Sequence, residues 1–329
     1  NLLPVPVAAL LEGKGADEGG YVAMDGTWWI PSGRTFLSGD PNHTAAQELA
    51  EAQAHFFLPR RYRNVFDQDS VVAYDGPADP TLPRYDLLVT STRDAVGNIT
   101  TASNDYRVLQ PDLATDPNGN RTAAAFDALG MVTATAVMGK TTENLGDVLQ
   151  GFDADPALAD LQAFIADPPA APASLLGQAS VRFVYDLGRF QRAGQASFAA
   201  MLARETHVNA AGGGASRIQT SFEFSDAFGR TIQKKIPAEA GLAPERQAAV
   251  PLPSGDVRPG DLVRDPQDRL VLSNTAPRWV GSGRTVFNNK GNPVRQYEPF
   301  FSATPQFELK VAGVSSTLLY DPLERVVAD

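Results

Sequence analysis

The stretch Thr220-Ser-Phe-Glu-Phe-Ser-Asp-Ala-Phe-Gly-Arg230 decides the fold class. Residues 220–225 alternate polar and apolar side chains and carry two aromatics, the pattern of a half-buried strand. Residues 226–230 read as a turn. An Asp can accept bonds from backbone amides ahead of it, two variable residues come next, and a Gly that tolerates φ > 0 precedes an Arg. This element recurs along the chain. Clear copies are Asp94-Ala-Val-Gly97-Asn98, Asp116-Pro-Asn-Gly119-Asn120, Asp127-Ala-Leu-Gly130-Met131, Asp226-Ala-Phe-Gly229-Arg230 and Asn288-Asn-Lys-Gly291-Asn292. Degenerate copies are Tyr185-Asp186-Leu-Gly188-Arg189, one residue short, and Asp265-Pro-Gln-Asp268-Arg269 and Asp321-Pro-Leu-Glu324-Arg325, where Gly is replaced.

The flanking runs at 85–92, 100–103, 132–137, 180–185, 220–225 and 317–320 are short, β-branched or aromatic, and often alternating. Strand, turn, strand, repeated, predicts a mainly β chain built as a long antiparallel meander. Successive copies lie 22, 11, 59, 40, 39, 23 and 33 residues apart, so the repeat is degenerate and carries insertions. Three insertions read as short helices, at 44–57, 156–166 and 195–205. Segments 167–173, 210–216 and about 237–259 read as loops, and the first suggests a weak subdivision into 1–170 and 171–329.

Composition narrows the function. With 329 residues, 43% of them hydrophobic, the chain has the material for a substantial core. A net charge of -10 disfavours phosphate backbones and anionic lipid surfaces, so nucleic acid and membrane are not expected partners. Zero cysteines excludes disulfides, thiolate zinc sites and a cysteine nucleophile. No apolar run is long enough to span a bilayer, and the opening residues lack both a basic leader and an initiator Met, so the chain reads as an interior piece of a longer polypeptide.

Each enzyme-like motif has a plainer reading. Ala134-Thr-Ala-Val-Met-Gly139-Lys140-Thr141 fits a permissive phosphate-binding loop, with a short helix conceivable over 142–149. Its intervening residues read as strand. Asp116, Asn118, Asn120 and Asp127 have the oxygen spacing of a calcium loop, but Arg121 stands where that loop needs Gly, and both aspartates also open turn repeats. His43, His55 and His207 show no zinc spacing, and no Gly-x-Ser-x-Gly elbow occurs; Gly281-Ser-Gly283 sits beside a turn. No cofactor and no metal is expected. The aromatic clusters Trp28-Trp29, His55-Phe-Phe57 and Tyr297-Glu-Pro-Phe-Phe301, with Trp279, read as cover for apolar sheet faces, and Arg60-Arg61-Tyr-Arg63 as a cationic helix end.

The repeated Tyr/Phe-Asp-x-x-Gly-Arg turn resembles the YD element of Rhs (rearrangement hot spot) proteins. Longer strings narrow the resemblance: Ala46-Gln-Glu-Leu-Ala-Glu-Ala-Gln-Ala-His-Phe-Phe-Leu-Pro-Arg-Arg61, Asp105-Tyr-Arg-Val-Leu-Gln-Pro111, Asp116-Pro-Asn-Gly-Asn-Arg121, Val137-Met-Gly-Lys140, Arg278-Trp-Val-Gly-Ser-Gly283, Phe287-Asn-Asn-Lys-Gly291, Tyr297-Glu-Pro-Phe-Phe-Ser302 and Tyr320-Asp-Pro-Leu-Glu-Arg-Val-Val-Ala328. In this order they look like the middle-to-C-terminal region of the B component of insecticidal toxin complexes, the TcaC/TcdB type. The resemblance implies a hollow β-shell, a long curved antiparallel sheet of YD/Rhs-type hairpins that B forms with a C component around a toxic effector polypeptide. It implies a secreted or extracellular bacterial toxin, a C or Rhs partner chain with its enclosed effector, and an A component reached only through parts absent from this segment. No catalytic residue is carried over; Asp94, Gly97, Asp116, Gly119, Asp127, Gly130, Asp186, Gly188, Asp226, Gly229, Arg230, Asn288, Gly291, Asp321 and Arg325 are assigned to turn structure. Two other readings of the residues stay open: a cell-surface or glycan-binding β module, and a nucleotide-binding enzyme acting through residues 134–141.

Overall fold

Short β-branched and aromatic runs closed by Asp-based turns pair with their neighbours in sequence. The structure, a computed structural model, describes residues 11–12, 19–30, 32–76, 85–170, 172–210, 216–309 and 314–328. Two compact units divide the chain, residues 1–121 and 122–329, and residues 167–173 fall within the second.

In the first unit, β1 (Arg34–Phe36), β2 (Arg61–Arg63), β3 (Asp69–Tyr74), β4 (Val89–Arg93), β5 (Ile99–Asp105) and β6 (Gln110–Thr115) pair antiparallel in chain order. A separate hairpin joins Val22–Met24 to Thr27–Trp29. The helix α1 (Ala45–Ala54) is inserted between β1 and β2. Thr44 starts it with a capping box: Gln47 N donates to Thr44 Oγ1 (3.4 Å) and Thr44 N donates to Gln47 Oε1 (2.9 Å). The expected 44–57 span ends early because Phe56 and Phe57 adopt φ of 54° and 56°. The basic run is not a helix end. Arg61 and Arg63 sit in β2 and grip Asp69 across the ladder, while Arg61 also stacks on Phe36 at 3.8 Å.

In the second unit, β7 (Arg121–Phe126), β8 (Val132–Met138), β9 (Val181–Asp186), β10 (Ser197–Arg204), β11 (Ile218–Ser225), β12 (Thr231–Ala238), β13 (Arg278–Gly281) and β14 (Phe300–Ser302) again follow chain order. Burial alternates along β9, β10 and β11. Val184 on β9, Phe198, Ala200 and Leu202 on β10, and Phe222 and Phe224 on β11 are buried on one face, with Phe198 opposite Phe224 and Ala200 opposite Phe222. That face is covered by insertions. The helix α2 (Leu158–Ala166) brings Phe164 to 5.4 Å from Phe222, and α3 (Pro172–Leu176) adds Leu176. Trp279 of β13 meets Phe222 edge-on at 5.7 Å.

Several expectations are corrected. Residues 195–205 are not helical but form β10: Ala-rich composition favours helix, yet period-2 burial of Phe198, Ala200 and Leu202 between two partner strands overrides it. Residues 237–259 hold paired strands, Gly241–Pro244 with Leu272–Thr275 and Val250–Pro251 with Val257–Arg258. Residues 142–149 form no helix. The run at 317–320 is split between Ser315–Thr317 and Leu319–Tyr320, and most of the loop expected at 210–216 lies outside the described residues. Among the described residues, no helix is long and apolar enough to cross a membrane.

Candidate functional site

Seven of the turns are held by the side chain of their first residue. Asp94 Oδ1 accepts from Val96 N (3.0 Å) and Asn98 N (2.9 Å), while Asp94 N donates to Asn98 O (3.0 Å). Asp116, Asp127, Asp226, Asp265, Asn288 and Asp321 each accept the same two amide bonds, at 2.8–3.1 Å. An Arg in fifth position closes the turn through its Nε: Arg230 to Asp226 at 2.8 Å, Arg269 to Asp265 at 2.8 Å and Arg325 to Asp321 at 2.7 Å. The fourth residue takes the left-handed conformation, natural for Gly229 (φ 75°) but also adopted by Asp268 (63°) and Glu324 (66°).

These bonds favour the charged carboxylates. The Asn98 and Asn120 side chains hold Asp94 and Asp116 below the usual carboxylate range, and the Arg269 and Arg325 amides do so for Asp265 and Asp321. Burial opposes ionisation of Asp226, yet Arg230 and the turn amides outweigh it.

Asp186 and Gly188, expected in a turn of this kind, are arranged differently. Gly188 has φ -87° and opens the short helix α4 (Arg189–Ala193), whose Arg192 bonds both oxygens of buried Asp186 at 2.8 Å. Conversely, Asn64-Val-Phe-Asp67-Gln68 is a copy that sequence reading missed. Asn64 Oδ1 accepts from Phe66 N (2.9 Å) and Gln68 N (3.0 Å), with Asp67 at φ 57°. Leu252 to Asp256 has the same backbone bonds with no side-chain acceptor.

A second feature had no sequence signal. Beyond β14, residues 302–308 cross the buried face of β12 as a strap, with Phe307 at 5.7 Å from Phe224. Gln233 exchanges two hydrogen bonds with the Glu308 backbone, 3.3 Å from Nε2 to O and 3.1 Å from N to Oε1. Lys235 Nζ donates to Ser302 Oγ (3.1 Å), to Thr304 O (2.8 Å) and to the Glu308 carboxylate, which Arg246 also binds. Burial pushes the Lys235 ammonium down to about 8 against the pull of Glu308. Nearby, Arg189 ties Asp256 (3.2 Å) to Gln306 (3.0 Å).

The enzyme-like motifs have other roles. Residues 134–138 lie in β8, with Ala134 opposite Arg182 and Thr135 opposite Val181, so their amides are not gathered around an anion. Gly139 packs against Leu145, and Lys140 lies 3.9 Å from Glu143. Asp116 and Asp127 each serve their own turn, and among the described residues no group of three or more His, Asp or Glu side chains is placed to hold a metal. Ser180 and His207 do converge with Asp147. Both bind the same carboxylate oxygen, at 2.5 and 2.7 Å.

No protein-family model matches the chain, and no curated protein does. Solved structures do. A TcdB2–TccC3 crystal structure superposes with a TM-score of 0.61 at 22% identity, covering 83% of this chain and 12% of that one. In fold, this chain resembles TcdB2–TccC3. A TcdB2–TccC3–TEV structure gives a TM-score of 0.63 at 19% identity over 94% of this chain and 16% of the other. The Photorhabdus luminescens Tc holotoxin pore with a mutated TccC3 gives 0.60 at 19% identity, over 83% and 14%. At these identities the likeness establishes the fold, and the chain spans a small fraction of each TcdB2–TccC3 chain.

Proposed function

We propose that this chain is a wall segment of a toxin-complex B component with an Rhs-type shell, which encloses and protects a toxic effector polypeptide before delivery. The observation that carries this reading is the TcdB2–TccC3 fold over 83–94% of the chain. Two features of the molecule support it. Every strand of the two meanders is reached from its neighbour by a short turn or by an insertion, the connectivity of a strip that can be extended strand by strand. One face of the second unit is sealed by α2, α3 and the 302–308 strap, which suits a barrier better than a catalytic cleft.

On this reading the Asp-x-x-Gly-Arg turns set hairpin geometry, and the chain acts as structure rather than as a catalyst. Its partners are a C-type chain and the enclosed effector, in a secreted toxin. Coexpression of the whole protein that contains this chain with a Tc-type C chain tests the pairing. A single stoichiometric complex on size-exclusion chromatography is expected; two independently eluting proteins would overturn it.

A further inference from the structure

Three hairpin turns of the second unit pack tip to tip. Gly291, fourth residue of the 288–292 turn, lies against the Arg230 guanidinium of the 226–230 turn, whose Nη1 stands 3.3 Å from where a Cβ of residue 291 would be. Arg230 also covers the ring of Phe287, which leads into the 288–292 turn, at 4.5 Å. The same turn reaches a third: Lys290 Nζ donates to Pro322 O (3.4 Å) and lies 3.8 Å from Glu324. Turns of this type are thus packing partners for one another.

The apolar tips themselves face solvent. Leu129, Phe228 and Leu323, each the third residue of its turn, are 74%, 82% and 74% exposed, and Leu187, in the connection between β9 and β10, is 53% exposed. The Asp127, Asp226 and Asp321 carboxylates already accept the amide hydrogens of the three tips, so those backbone donors make no demand for water. An apolar side chain raised at such a point is stabilised by being covered.

Topology decides what can cover them. Connections in an antiparallel meander alternate between two margins, so the β7–β8, β9–β10 and β11–β12 connections share one. Leu129, Leu187 and Phe228 therefore form a row with a spacing of two strands, about 9.5 Å. The margin of another antiparallel strip repeats with the same period. Three side chains fall well short of the roughly 1,000 Å² that a stable free association buries, which argues against a second copy. A margin tethered in the same polypeptide needs less contact, because the tether raises its effective concentration. The TcdB2–TccC3 chains leave ample length for one, since residues 1–329 cover only 12–16% of them.

We propose that this margin docks against hairpin turns of a further course of the same strip, lying in the same polypeptide outside residues 1–329, with the apolar tips of the two rows in contact. The proposal rests on the wall reading and deepens it. In the whole protein that contains this chain, Leu129 and Phe228 are each replaced by photoreactive p-benzoylphenylalanine. Gln267, the exposed polar tip of the 265–269 turn, is the control position. After irradiation, cross-linked peptides are mapped by mass spectrometry. Both tips are exposed, so the replacements leave the core of the unit untouched. Intrachain links from both positions to Asp-x-x-Gly turns outside residues 1–329 are expected, at a yield about tenfold above the control. Yields equal to the control, links confined to residues 1–329, or links to a second copy, a C-type chain or the effector overturn the proposal. Tip-to-tip links in an assembly that fails to protect its effector would keep the docking and remove the wall reading; protection without such links removes the docking alone.

Discussion

Lys235 meets Glu308 across 73 residues of sequence, the lysine wholly sealed from solvent and the glutamate side chain 5% exposed. The contact joins β12, the third strand from one end of the sheet, to the strap that crosses it. A pair this deep gives little net stability over apolar side chains of the same size, but breaking it leaves a buried charge without its counter-ion. Glu308→Gln is therefore expected to lower unfolding free energy by about 3–5 kcal/mol in urea. Because Arg246 also binds Glu308, the triple variant Lys235→Met, Arg246→Met and Glu308→Leu should recover much of that loss. If the triple variant is worse than the single, the cluster stabilises outright and this account of the strap fails.

Acid should loosen the first unit through Asp69. Arg63 bonds both its oxygens, at 2.6 and 2.8 Å, and holds the carboxyl at about 2, against burial and with help from Arg61. A carboxyl whose folded pKa lies below its unfolded value of 3.8 contributes stability that is complete above 3.8 and is lost as pH falls toward 2. Arg63→Gln should thus cost stability near neutral pH, with the difference from the parent shrinking through that window. A constant difference, read by circular dichroism melts across the range, would contradict the assignment.

The turns offer a stabilising change. Asp268 and Glu324 occupy the left-handed position that Gly fills elsewhere, at a conformational cost of about 1–2 kcal/mol relative to Gly. Asp268→Gly and Glu324→Gly should each raise stability by up to about 1 kcal/mol after the greater flexibility of the unfolded chain is counted. In contrast, Asp226→Ala removes the acceptor of two turn amides and the partner of Arg230, and should cost about 1–2 kcal/mol. Denaturant midpoints for the three variants check both signs.

Phe222 touches Phe164, Phe198, Phe224 and Trp279 and has no exposed surface. Phe222→Ala should cost about 3–5 kcal/mol. Loss below about 1 kcal/mol in the same denaturation assay would mean that α2 does not pack on β11 in solution.

Local chemistry was the part of the structure that could be read from the sequence. An Asp that bonds amides two and four residues ahead writes its turn into five letters, so most turns and the meander they imply were legible. The Asn64 copy escaped because neither its fourth residue, Asp67, nor its fifth, Gln68, matches the repeat, and the Leu252 turn because its backbone closes without a side chain. Strand β10 reads as helix from sequence because five residues in and beside it are Ala or Leu, whose helix propensity is overridden only by partners distant in sequence. The strap was illegible for the same reason: Gln233, Lys235 and Glu308 carry no mark of one another until the sheet brings them together.

The measurement that bears most directly on the wall reading is protease protection. The whole protein that contains this chain would be assembled with a Tc-type C chain and exposed to a nonspecific protease, and survival of the effector polypeptide followed by mass spectrometry. A wall predicts that the effector persists intact until denaturant opens the assembly. Digestion at the rate of the free effector, with the assembly still intact, would contradict it.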